Sequence, residues 1–209
     1  MATPRSMGWR VCFFLTGVLI SIGGPLHPGG TMAEMLANPD WVPSHTLILI
    51  AFVVFLVGLK LLRQAAPLPP ASARWTRLAF WGTVLQAIEM VLHTAASVDH
   101  HNLVSGQSTP VLSTHLALAV VAYPLFGASA IGLIVATARE RSLSSPWISW
   151  LGILGAAGHG IAAPLVVALQ QDWARVLFPT VMLWAIWCIL TAFWPLRGAE
   201  PASAAEATA

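Results

Sequence analysis

Residues 45–63 read HTLILIAFVVFLVGLKLLR, and how this stretch is interpreted decides the fold. No charged residue or proline interrupts it before Lys60. A helix needs about 20 residues to cross the ~30 Å hydrocarbon core of a bilayer. This run approaches that length and ends on Lys60 and Arg63, as a helix leaving the membrane does. Working outward, similar segments recur, and their lengths predict spans at roughly 9–25, 45–63, 77–97, 114–137, 147–170 and 175–195. The composition agrees, with 57% hydrophobic and only 9% charged residues, where a soluble domain carries about a quarter charged.

The chain is therefore predicted to be all-α, a polytopic membrane helix bundle of about six transmembrane helices. It forms one domain over 1–197, followed by a disordered cytoplasmic tail over 198–209, GAEPASAAEATA. Pro124, Pro164 and Pro179 fall inside or at the start of predicted spans. Membrane helices tolerate such prolines because neighbouring groups or water satisfy the freed carbonyls.

The basic residues orient the bundle. With six spans, Arg5, Arg10, Lys60, Arg63, Arg74, Arg77, Arg139, Arg141 and Arg197 fall on one side, and Arg175 alone on the other. The positive-inside rule places the basic side, and with it both termini, in the cytoplasm of a multi-pass plasma or bacterial inner membrane protein. Trp9, Trp75, Trp81, Trp147, Trp150 and Trp194 are expected near the inner headgroups, and Trp41 and Trp173 near the outer ones. The opening segment has a basic start and an apolar core like a signal peptide. No Ala-x-Ala site closely follows it, so it reads as a retained first helix. Cys12 and Cys188 lie within apolar runs and form neither Cys-x-x-Cys nor Cys-x-x-Cys-His, so neither a thiol redox motif nor covalent c-type haem is supported. The small net charge of +2 reflects topology, and no nucleic-acid partner is implied. The expected partners are the lipid bilayer and a second copy or another membrane subunit.

Six of the seven histidines, His27, His45, His93, His100, His101 and His115, fall on the non-basic side. Glu34, Asp40, Asp99 and Asp172 share it. Displacing the chain by 70 residues sets His45 over His115, Gly82 over Gly152, Ala87 over Ala157 and Glu89 over His159. The pattern reads as two related helical hairpins with outer loops folded back over the bundle.

The third span, AFWGTVLQAIEMVLHTAASVDHHNLV from Ala79, carries the densest chemistry. Glu89 and His93 are four residues apart and share a helix face, and the same stripe leads on to His100. A carboxylate roughly two turns inside a span is costly unless paired, so Glu89 is the leading candidate for function. Glu89, His93, His100 and His101 are the expected metal ligands, with Asp99 at the lip. His159 lies among Gly155, Gly158 and Gly160, where absent side chains admit either a packed helix or a flat ligand.

Three chemistries suit this pattern. The first is a zinc, iron or copper site, since mixed imidazole and carboxylate sets suit those ions, or one haem b held by His93 with His159 or by His45 with His115. The haem reading resembles bis-histidine membrane cytochromes only in general arrangement, because the inner half contains no histidine. The second is proton-coupled transport through Glu89 and His159. The third is a membrane enzyme acting on an apolar substrate at the outer leaflet. It lacks a nucleophile elbow, a phosphate loop and a His-Glu-x-x-His helix, so catalytic residues are unassigned. A structural subunit would leave the one-sided histidines and Glu89 unexplained.

Overall fold

A computed structural model describes residues 4–65, 68–140 and 142–194, and every regular element among them is helical. The tail expected over 198–209 lies outside the described residues, as do Arg141 and Arg197. The α-helices are α1 (Pro4–Gly23), α2 (Met32–Ala37), α3 (Trp41–Ala65), α4 (Pro70–Ala95), α5 (His100–Val104), α6 (Pro110–Arg139), α7 (Pro146–Ala163) and α8 (Val181–Phe193). A 3-10 turn, Ala96–Asp99, links α4 to α5; a π-helical turn, Pro164–Ala168, extends α7; a 3-10 stretch, Asp172–Thr180, leads into α8. Each of the six predicted apolar segments falls on one of the long elements, and α2 and α5 occupy the connections between them.

Local chemistry accounts for the ends. Proline opens α4, α6 and α7, where its missing N–H would have lacked an intrahelical partner anyway. The Ser145 side chain accepts from the Ile148 amide and caps α7. Pro124 lies inside an unbroken α6, whereas Pro164 marks the point where α7 passes into its π-helical turn.

The long helices close into a ring: α1 packs on α3, α3 on α4, α4 on α6, α6 on α7, α7 on α8, and α8 on α1. The interior is filled by Phe13, Phe52, Phe55, Phe126, Trp184 and Trp187, all fully buried. Phe126 meets Phe52 and Trp184 edge-on, each at 5.2 Å between ring centroids.

Tertiary hydrogen bonds define the two ends of the ring. Arg10 Nη1 donates to the Ala192 carbonyl at 3.2 Å, joining the start of α1 to the end of α8. The Ser72 amide donates to Glu140 Oε2 at 3.2 Å, joining the start of α4 to the end of α6. At the opposite end Trp41 Nε1 donates to the His93 carbonyl, and the Leu112 amide donates to Asp99 Oδ2. The basic residues of α1, α3, α4 and α6 thus gather at one end and the histidine-bearing termini at the other.

Among the described residues, four helices are long and apolar enough to cross a membrane: Trp41–Ala65, Pro110–Arg139, Pro146–Ala168 and Asp172–Phe193. Met7–Gly23 is apolar but shorter. At 26 residues α4 has the length and is not among the four. Its composition is polar because its inner face is: Ser72, Thr76, Thr83, Gln86 and Glu89 are all fully buried. Its outward face carries Leu78, Trp81, Ile88 and Val91, with Trp81 68% exposed. Water selects the reverse arrangement, and contiguous apolar surface on this scale marks contact with another phase. Val53, Val57, Val121, Leu125 and Leu154 extend that surface onto neighbouring helices. The architecture is that of a helical membrane bundle.

The tryptophans divide. Trp81, Trp147, Trp150 and Trp173 are exposed, as headgroup-level rings should be. Trp9 and Trp41, expected in the same belts, are instead buried. Trp9 stacks edge-on against Phe13, and Trp41 belongs to the histidine-bearing end.

Candidate metal centre

Glu89 sits on the inner face of α4, with its two carboxylate oxygens in different environments. Oε2 accepts a hydrogen bond from Gln86 Nε2 at 2.9 Å, one turn earlier on the same face. Oε1 lies 3.5 Å from His93 Nδ1 and 2.7 Å from His115 Nδ1. Neither contact has hydrogen-bond geometry, and all three atoms are buried without a hydrogen-bond partner. Buried polar atoms are normally paired, and an unpaired carboxylate oxygen in a low-dielectric interior is especially costly. Donors bound to one ion at ~2.0–2.1 Å lie about 3–3.4 Å apart, and the observed separations bracket that range. Glu89, His93 and His115 present ligand atoms within 4.8 Å of one another.

A second set adjoins the first. His27, His45 and His93 also bring ligand atoms within 4.8 Å of one another. The rings follow one another in a row: His115 to His93 is 4.0 Å between centroids and His93 to His45 is 4.2 Å, both tilted, and His45 to His27 is 4.7 Å, edge-on. Trp41 backs this row, 4.2 Å from His45 and 5.1 Å from His93. Its indole N–H, bonded to the His93 carbonyl, ties the start of α3 to the end of α4. His27 lies on the connection between α1 and α2.

The sequence placed Glu89 and His93 on one face, and the structure brings both to the centre of the cluster. His45 and His115, paired by the 70-residue displacement, lie in the second turns of α3 and α6 and both pack against His93. His100 and His101, expected beside Glu89 and His93, lie on α5, half-buried and exposed respectively, and belong to neither set. The turn through Ala96–Asp99 breaks the helical stripe that would have carried His93 on to His100. Asp99, expected at the lip, is buried and accepts the Leu112 amide at 2.8 Å, capping α6 from outside.

His159 also stands apart from both sets. Its ring packs 4.6 Å from Tyr123, with Phe126 and Phe178 farther out. The glycines around it serve helix packing. A Cβ on Gly160 would come within 3.1 Å of Gly127 Cα, and one on Gly155 would meet the backbone of Trp184 and Thr180. Those surfaces hold neighbouring helices. The His93 ring packs against both His45 and His115.

Two contributors escaped the sequence reading. Gln86 was detectable, since it lies three residues before Glu89 on one helix face. Trp41 carried no such signal, because its role rests on contact with another helix.

Comparison with protein families, with curated proteins and with solved structures found no match for this chain.

Proposed function

We propose that this chain is an integral membrane protein that binds one divalent transition-metal ion at the outer end of its bundle, through Glu89, His93 and His115. The observation that carries this reading is Glu89 Oε1, fully buried, lying between two imidazole nitrogens with no hydrogen bond to either. Gln86 orients the carboxylate through its other oxygen, the kind of outer contact that fixes a metal ligand. Two imidazoles and one carboxylate suit zinc or ferrous iron and leave coordination positions open. Water or an incoming ligand would fill them, so the role is metal handling or Lewis-acid chemistry.

In this reading the chain crosses six times, which under the positive-inside rule would put the basic end and both termini in the cytoplasm and the metal centre on the extracytoplasmic face. The fourth helix counts as a crossing because it is wedged between α3 and α6 and turns its polar face inward. The aromatic filling of the ring favours a resident ion over a transported one, because Phe52 and Phe126, near the middle of α3 and α6, pack together with Trp184 from the first turn of α8.

The test is metal analysis of the purified full chain with Glu89→Gln and His115→Ala beside it. The native chain is expected to retain about one equivalent of zinc or iron, and each variant to lose affinity by at least ~100-fold. A native chain that binds no transition metal, or a Glu89→Gln chain that binds like the native one, overturns the reading.

A further inference from the structure

We infer that His27 and His45, together with His93, form a second and outer metal station through which the ion reaches the Glu89 centre. This rests on the metal reading above and extends it to how the site is filled. His45 Nδ1 lies 2.6 Å from the Trp41 carbonyl, and His27 Nδ1 lies 2.8 Å from the Pro28 carbonyl. A carbonyl only accepts, so each Nδ1 carries the hydrogen and each Nε2 keeps a free lone pair. Ser44 Oγ donates to the same Trp41 carbonyl at 3.0 Å, further fixing that turn. Pinning one imidazole nitrogen to a backbone carbonyl is how proteins orient metal-binding histidines. His45 is fully buried, and its Nε2 has no hydrogen-bond partner.

The two stations differ in access and in charge. His27 is exposed and His45 and His93 lie behind it, so the outer set opens to solvent. It contains three imidazoles and no carboxylate, whereas the inner set includes the carboxylate of Glu89. A divalent ion binds a carboxylate in its ionised form and gains that attraction only at the inner set, which gives the transfer its direction. His93 belongs to both sets and serves as the shared ligand. One carboxylate cannot neutralise two dications a few ångströms apart, so the stations are occupied in turn by one ion.

The experiment loads the metal-free full chain in detergent with cobalt(II) alone and follows its visible absorption by stopped flow. One cobalt per native chain is expected. His27→Ala and His45→Ala should still bind one, with loading slowed roughly tenfold or more. Glu89→Gln should show fast capture at the outer station with weak final affinity. Native loading rates in both histidine variants, or two cobalt ions bound per native chain, overturn the proposal. If His45→Ala does not fold, His27→Ala, on an exposed connection, decides alone. Failure of the underlying metal reading looks different: the native chain takes up no cobalt, or Glu89→Gln keeps full affinity.

Discussion

At the scale of the residue, Gln86 decides how Glu89 is used. It holds Oε2 and so leaves Oε1 facing the imidazoles of His93 and His115. Replacing it with leucine keeps all three ligands but frees the carboxylate to rotate. Gln86→Leu should keep a stoichiometry of one and weaken metal binding by about 10–100-fold, measured by competition against a chelator of known affinity. Unchanged affinity would show that the carboxylate is oriented by something else. Glu89 and His93 were legible in the sequence because the four-residue spacing of a helix is a local rule. His115 was legible only as a histidine at the entrance of a span. Its partner depends on α6 lying beside α4, which no local spacing encodes. His100 and His101 misled for the converse reason: they are near His93 in the chain, but a 3-10 turn redirects the helix before it reaches them.

At the scale of the element, the α6–α7 contact depends on glycine. A Cβ on Gly127 would lie 2.7 Å from the Ala156 carbonyl and 2.9 Å from Gly160 Cα. These are backbone atoms that cannot step aside, and small residues at such crossings let membrane helices approach. Gly127→Leu should therefore lower the thermal unfolding midpoint in detergent sharply, while Val121→Leu, on the exposed face of the same helix, should leave it nearly unchanged. Equal midpoints would mean that α6 and α7 do not need this approach. The short α2 is held differently, by a capping box: the Thr31 amide and hydroxyl each donate to Glu34 Oε2 at 2.8 Å. Those bonds hold the Glu34 carboxyl below its ordinary 4.5. With the folded value depressed, the cap's contribution is complete above 4.5 and is lost as pH falls through the lower folded value. Amide protection over Met32–Ala37, corrected for intrinsic exchange, should decline across that acid range in the native chain. In Glu34→Gln it should be weaker and insensitive to pH.

At the scale of the whole molecule, the apolar helical segments were readable because membrane thickness imposes a length and the lipid imposes apolarity. Ring closure was not readable, since lipid-facing and helix-facing positions of an apolar helix look alike in composition. The helix α4 shows the limit, because the polarity that equips it for the site also lowers its hydropathy as a span. Its crossing is nevertheless required if the basic end is to stay on one side, and this can be tested directly. Ser108 lies on the connection before α6, at the histidine end, and Ala71 lies in the first turn of α4, at the basic end; the latter is exposed. In a background with Cys12 and Cys188 replaced, Ser108→Cys in intact cells should react with a membrane-impermeant maleimide. Ala71→Cys should react only after permeabilisation. The reverse pattern would place the metal centre in the cytoplasm. Labelling of both positions from outside would mean that α4 does not cross, and the carboxylate of Glu89 would then lie outside the membrane rather than within a wall of the bundle.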